Sequence, residues 1–311
     1  MKYASLFSGI EAATLAWKPL GWQPVFFSEI EKFCCDLLKH YYPEVPNLGN
    51  ATKFEEWSDY DFDVLVGGTP CQSFSVAGQR AGLHDPRGNL TFTFFAIAGR
   101  YKPRWVVWEN VPGVLSIDGG RVFGAILGAL AKLRYGFAYR VLDAQHFGVP
   151  QRRRRVFLVG HSDWRCAAAV LFERHCLQGH IGKSNGEKED IAGTVTENLG
   201  NHGICAELAA SGYLQTVGTI SAKSFTGGAG GRPEGAAAGH LMQSSGVRRL
   251  TPTECERLQG FPDNYTLIKY RGKPAACTPR YRVIGNSMAV PVMRWIGERI
   301  NMVEGICVKN Q

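Results

Sequence analysis

Between residues 2 and 160, short apolar runs alternate with longer amphipathic stretches, and this alternation most restricts what the chain can become. Runs at 2–7, 22–27, 63–66, 104–108, 139–142 and 156–160 have strand length, and stretches at 12–17, 31–42, 90–100 and 122–133 have helical period. A strand followed by a helix and then another strand returns the chain in the same direction. The pattern therefore predicts an α/β fold with a doubly wound, mostly parallel sheet. With 311 residues, 45% of them hydrophobic, the chain can bury a real core. No apolar run approaches membrane-spanning length, and the N-terminus enters a strand directly with no signal peptide.

The alternation stops after His161. Residues 161–246 are rich in Gly, Ala, Ser, Thr and Asn and have weak periodicity. Two short strands with Gly-rich loops fit there, and such loops on a scaffold often carry recognition. Order resumes at Arg248-Arg249-Leu250, where Thr251-Pro252-Thr253-Glu254 reads as a capping box with proline at the first helical position. That helix is expected to end at Gly260-Phe261-Pro262, followed by a short extended piece at 281–284 and an amphipathic helix at 290–300.

The chemistry concentrates where strands end. Gly67-Gly68-Thr69-Pro70-Cys71-Gln72-Ser73-Phe74-Ser75 follows the 63–66 strand. Glycines turn the backbone and Pro70 fixes it beside a single thiol, at the sheet edge where open α/β folds place their chemistry. A thiolate at Cys71 can serve as a nucleophile; taken alone, a cysteine is more often a small buried residue. Gly9 sits in the first strand-to-helix turn, and Glu29 follows about twenty residues later, the spacing at which Rossmann-like folds set a carboxylate on ribose hydroxyls. Glu109 ends the 104–108 strand and points toward the same cleft. In Gln151-Arg152-Arg153-Arg154-Arg155, alternation turns Arg153 and Arg155 one way and Arg152 and Arg154 the other. A net charge of +8 and a pI near 9.0 favour a polyanionic partner. Nine cysteines without a C-x-x-C pair argue against a disulfide framework and for a reducing, cytosolic setting. Cys166, His175, Cys176 and His180 match no common zinc spacing, so no metal is expected.

Taken in order, these motifs resemble those of the C5-cytosine-specific DNA methyltransferases of bacterial or phage type, over residues 2–160 and 248–300. Phe7-Ser8-Gly9 resembles the family's cofactor loop, Gly68 to Ser75 its nucleophile loop, Glu109-Asn110-Val111 its acid motif and Gln151 to Arg155 its basic motif. Arg249 to Pro262 resembles the motif that orders the recognition domain, and Gly285-Asn286-Ser287 the motif that returns to the cofactor site. The family often carries glycines where Glu11 and Ala12 stand, an acid where Asn50 stands, and an aromatic residue where Ile30 stands.

The resemblance implies a Rossmann-like catalytic and S-adenosylmethionine-binding domain at 1–160 and a smaller inserted target-recognition region at 161–280. Within that region 161–246 is the variable part and 248–262 the ordered motif, and the 281–311 segment returns to the catalytic domain. It implies Cys71, Glu109, Arg153 and Arg155 as catalytic groups and Phe7, Gly9, Glu29, Ile30, Asn50, Pro70, Leu90 and Asn286 as cofactor contacts. Gln72, Ser75, Asn110 and Gln151 would position substrate, with loop 75–88 as a cover. The implied activity is methyl transfer from S-adenosylmethionine to C5 of a cytosine flipped out of double-stranded DNA, through a covalent bond from Cys71 to C6. The enzyme would be a cytoplasmic monomer without membrane contact, and a cognate restriction endonuclease acting separately is a partner the resemblance allows. A relative acting on RNA and an inactive DNA-binding module remain as alternatives. A dehydrogenase would need a G-x-G-x-x-G that the first turn lacks.

Overall fold

The computed structural model describes residues 1–70, 90–172, 240–243 and 246–307. Its centre is a six-stranded sheet. Strand β1 (Lys2–Leu6) leads into helix α1 (Ala12–Trp17), β2 (Gln23–Ser28) into α2 (Lys32–Tyr41), and β3 (Val64–Gly68) precedes α3 (Leu90–Tyr101). Then come β4 (Trp105–Asn110), α4 (Arg121–Lys132), β5 (Gly136–Asp143) and β6 (Arg154–His161). The strands lie in the order β2-β1-β3-β4-β6-β5. Pairings β1–β2, β1–β3 and β3–β4 are parallel, whereas β6 runs antiparallel to both β4 and β5. The mostly parallel, doubly wound sheet is thus present, with one reversed strand. The reversal follows from the short connection out of β5: Ala144–Phe147 form a single 3-10 turn, too short for a crossover helix.

Side chains alternate between the two faces. Tyr3, Val64, Val66, Trp105 and Val107 pack on one side with α1 and α2; Ala4, Leu6, Leu65, Val106 and Trp108 pack on the other with α3 and α4. Helices therefore cover both faces, as buried parallel strands require.

Beyond β6 the chain forms α5 (Trp164–Leu171), a helix not expected from the sequence, and then the antiparallel pair β7 (His240–Gln243) and β8 (Gly246–Arg249). The expected two-strand Gly-rich region at 161–246 falls largely outside the described residues. Helix α6 (Pro252–Leu258) starts at the expected capping box: Glu254 N donates to Thr251 Oγ1 at 3.2 Å, and Thr251 N donates to Glu254 Oε2 at 2.7 Å. A small hairpin, β9 (Lys269–Tyr270) and β10 (Lys273–Pro274), leads to α7 (Cys277–Asn286) and α8 (Val290–Cys307). The extended piece expected at 281–284 is instead the second half of α7. Its β-branched residues favour a strand over four positions, but Arg280, Val283 and Ile284 are buried at helical spacing, a period visible only over the longer segment.

Helix α8 returns the C-terminal part to the sheet. Trp17 Nε1 donates to Met293 O at 2.7 Å, and Trp22 Nε1 to Asn301 Oδ1 at 2.9 Å. Arg299 holds the end of α5 through the carbonyls of Ala169, Val170 and Phe172. Close approach depends on Gly297, where a Cβ would lie 2.5 Å from the Trp17 ring. Among the described residues, no helix is long and apolar enough to cross a membrane. Gly297→Ala should lower the unfolding free energy by about 1–3 kcal/mol, the usual cost of overpacking, measured by urea denaturation; an unchanged midpoint would show that α8 shifts freely on Trp17.

Candidate active site

Strands β1 and β2 proceed to one side of the sheet and β3 returns to the other, so the connections diverge beyond the carboxyl ends of β1 and β3. A crevice at such a switch point is where open α/β sheets bind ligands. Here it is a cleft of about 540 Å3. The loop leaving β1 crosses it with positive φ at Phe7 (53°) and Gly9 (55°). Gly9 N donates to Glu29 Oε2 at 2.7 Å, while Ile30 N and Glu31 N donate to Glu29 Oε1 at 2.8 Å. Three amides thus fix the carboxylate at the end of β2. Beside it Ile30 is 69% exposed, an uncovered apolar side chain on the lip of the cleft. Phe7, Asn50, Pro70, Leu90 and Asn286 also line the cleft. Asn50 Oδ1, the acceptor that would meet an amino group, caps the 3-10 helix Ala51–Glu56 by accepting from Thr52 N and Oγ1 at 3.0 Å. A glutamate beside a glycine turn, an open apolar side chain and this volume suit the ribose and purine of a nucleoside cofactor.

The other end of the cleft carries the acid and the arginines. Glu109 is the penultimate residue of β4, 9% exposed, against the backbone of Gly68. A Cβ on Gly68 would lie 2.7 Å from Glu109 Oε2, so only glycine leaves room for this carboxylate. Arg155 Nε lies 3.1 Å from Glu109 Oε1, both side chains largely enclosed. Burial pushes the Glu109 carboxyl up from its usual range, and the cations of Arg155 and Arg153 offset part of that rise. Arg153 is buried; its Nη2 donates to the carbonyls of Gly285 at 3.2 Å and Ser287. Desolvation and the neighbouring Arg155 work against its charge, and Glu109 favours it. Arg152 and Arg154 are exposed on the opposite side, as strand alternation requires.

Two residues expected to position substrate, Asn110 and Gln151, bond to the framework. Asn110 Nδ2 donates to Thr69 O at 3.0 Å, and its Oδ1 accepts from Val111 N at 2.9 Å. Gln151 is wholly buried and its Nε2 donates to Leu258 O at 3.1 Å. Cys71, Gln72 and Ser75, with the 75–88 loop, lie outside the described residues. The turn delivering Cys71 is fixed up to its threshold, however. Thr69 Oγ1 accepts from Trp108 Nε1 at 3.0 Å and bonds Thr91 Oγ1 at 2.8 Å. Sequence reasoning overlooked Thr69, although a hydroxyl between a Gly pair and a proline was a signal for a pinned turn. It also overlooked the rim contact between Arg282 and Glu31, hidden because 281–284 looked extended.

Among the described residues no cluster of three or more His, Cys, Asp or Glu side chains can hold a metal. Cys166 is buried on α5, and His175, Cys176 and His180 lie outside the described residues. Chemically, the site offers an enclosed carboxyl that burial pushes up from its usual range, a guanidinium beside it and a nucleoside-sized cleft alongside.

A family model described as C-5 cytosine-specific DNA methylase matches residues 1–166 and 177–302. The chain is 33% identical to a protein of Escherichia phage P1 named DNA N-6-adenine-methyltransferase, across 96% of this chain and 61% of that protein. It therefore spans less than two thirds of the phage relative's length. It is 31% identical to the Type II methyltransferase M.DsaV of Dactylococcopsis salina, across 96% of this chain and 86% of that protein. The fold is similar to that of the S. pombe Dnmt2 methyltransferase, with a TM-score of 0.68 at 16% identity over 97% of this chain and 99% of that one.

Since the Arg155 cation lowers the Glu109 pKa, Arg155→Ala should make Glu109 titrate at higher pH than in the wild type. Carboxyl 13C NMR of glutamate-labelled protein reads this directly; an unmoved or lower value would mean that the 3.1 Å contact has no electrostatic consequence.

Proposed function

Because the chain belongs to the C-5 cytosine-specific DNA methylase family, we propose that this DNA cytosine methyltransferase moves a methyl group from S-adenosylmethionine to C5 of a cytosine flipped out of duplex DNA, with Cys71 as covalent nucleophile. The observation that carries the reading is the enclosed Glu109 carboxyl paired with Arg155, one strand away from the turn that leads into Cys71 and at the end of a nucleoside-sized cleft.

Cytosine C5 is a poor nucleophile until a group adds at C6. The Cys71 thiolate forms the S–C6 bond while N3 takes the proton held by Glu109, so negative charge does not accumulate on the ring. Burial raises the carboxyl's hold on that proton, which gives the upward shift a role in the reaction. Arg155 stabilises the O2 side of the ring and orients Glu109. Arg153 acts behind it, tying the basic motif to the 285–287 turn. The bound cofactor supplies an electrophilic methyl group. C5 takes the methyl and loses its proton to a base, the C6–S bond breaks to release the thiolate, and N3 returns its proton to the Glu109 carboxylate, which restores the ring and the acid. A stacked base cannot reach these groups, hence the flipped cytosine.

Residues 161–246 set the sequence preference in this reading, on a target-recognition region that runs to residue 280. The enzyme acts as a cytoplasmic monomer on double-stranded DNA, with a restriction endonuclease of the same specificity as a separate partner. What supports a pyrimidine rather than an adenine target is the acid–guanidinium pair, since methylation at an exocyclic amine needs no addition to the ring. Analysis of nucleosides from methylated duplex DNA should therefore give 5-methylcytosine. N6-methyladenine as the product would overturn the proposal.

DNA with 5-fluorocytosine at the target should trap the protein, because fluorine cannot leave C5 as a cation. The adduct should survive denaturing electrophoresis, map to Cys71, require S-adenosylmethionine and be absent from Cys71→Ala. A stable adduct through another residue would overturn the nucleophile.

Glu109→Gln should slow methyl transfer by about 10²–10⁴-fold with little change in cofactor affinity. In the wild type the rate should fall as pH rises through the elevated Glu109 pKa, since the acid form is the one required, and that limb should vanish in Glu109→Gln. Equal pH profiles in the two proteins would leave Glu109 without an acid role.

A further inference from the structure

Four carboxylates line the cleft: Glu11, Glu29, Glu31 and Glu109. Glu109 is paired with Arg155, and Glu31 with Arg282. Glu29 receives three backbone amides at the open end of the cleft. Glu11 differs from them all. It is 1% exposed, and among the described residues no cation contacts it. Only neutral groups serve it: Ser5 Oγ donates to Oε1, while Thr14 N, at 3.0 Å, and Thr14 Oγ1 donate to Oε2. A buried carboxylate normally has a cationic partner.

Geometry adds to the anomaly. Glu11, the N-cap of α1, has φ 60° and ψ 60°, a left-handed conformation that a long side chain rarely adopts. Next to it Ala12 and Ala13 line the cleft with methyl groups alone, leaving space beside the carboxylate. A carboxylate offers about four acceptor positions, and the three donors leave one on Oε1. Burial pushes the Glu11 carboxyl up, the behaviour of an acid that lacks a counter-charge.

We propose that Glu11 is a cofactor-binding residue that receives the α-ammonium group of the methionine end of S-adenosylmethionine. The inference rests on the cofactor reading above. Of the two cations on that molecule, the ammonium carries N–H donors to fill the open acceptor position on Oε1, and the sulfonium carries none. Glu29 at the ribose and Glu11 at the ammonium then hold the molecule on either side of its sulfonium, across the Gly9 turn.

The test uses calorimetric binding of two ligands that do not turn over: S-adenosylhomocysteine, which keeps the ammonium, and its deaminated analogue S-adenosyl-4-thiobutyrate. Wild type should prefer the first by about tenfold to a hundredfold, the value of one hydrogen bond to a charged group. Glu11→Gln should lose most of that preference by weakening S-adenosylhomocysteine alone. Glu11→Gly, which accepts positive φ without strain, should do the same and keeps the test informative if the first variant folds poorly. An unchanged preference in both variants overturns the inference, as does equal weakening of both ligands, which marks a structural role. If Glu11→Gln instead alters the ratio of S-adenosylmethionine to S-adenosylhomocysteine affinity and spares the preference for the amine, the carboxylate faces the sulfonium and the assignment is overturned. Failure of wild type to bind S-adenosylhomocysteine at all would sink the cofactor reading, and this inference with it.

Discussion

Strand β6 runs against β4, and the site depends on that reversal. Its first residues lie at the edge where β1, β3 and β4 end, with Asn110 opposite Val156 and Glu109 opposite Phe157. Arg155 therefore meets Glu109 at 3.1 Å. Were β6 parallel to its neighbours, its eight residues at about 3.3 Å each would carry the arginines roughly 25 Å away, to the far edge of the sheet. The reversal brings acid and guanidinium together, and their enclosure decides the state of the acid. Removal from water favours the neutral carboxyl, and the arginines favour the charged one. The net upward shift shows that desolvation prevails.

The C-terminal part of the chain is built into the same site. Arg153 spans from the basic motif to the carbonyls of Gly285 and Ser287, Gln151 to the carbonyl of Leu258, and Gln259 Nε2 to the carbonyl of Ile284 at 3.2 Å. These buried side chains donate to backbone oxygens from elements more than a hundred residues away in sequence, apart from the local Gln259 contact. Behind them Arg280, Glu256 and Thr266 form a buried network in which Arg280 Nη2 lies 3.0 Å from Glu256 Oε1 and Arg280 Nε donates to Thr266 Oγ1 at 2.8 Å. Breaking such a network leaves a charge without a partner, which costs more than the network contributes when whole. A wall of the cleft and the support of the Gln151–Arg155 segment thus share one set of contacts.

Much of this was legible in the sequence because it is governed by local rules. Hydrophobic periodicity revealed the sheet, the capping box placed the start of α6 at Pro252, and strand alternation separated Arg153 and Arg155 from Arg152 and Arg154. Glu29 stood at the right distance from Gly9, and the structure joins them by a hydrogen bond of 2.7 Å. Each of these depends on residues adjacent in the chain or on a repeat that a short window captures.

What failed, or could not be asked, was decided by distant partners. The 281–284 run has strand-forming residues, yet burial of Arg280, Val283 and Ile284 against α6 and its turn makes it a helix. The carbonyls that Asn110 and Gln151 bind belong to Thr69 and Leu258, which only the folded chain brings near. Glu11 showed in the sequence only as a residue where glycine is usual. Its burial between β1 and α1, without a cation among the described residues, emerges once Ser5, Thr14 and the cleft are in place. Sequence by itself determined most of the elements and the chemical groups, because propensity and period act over a few residues. Tertiary structure decided direction, partnership and protonation, because strand reversal, desolvation and long-range hydrogen bonds depend on what the rest of the chain sets beside each group.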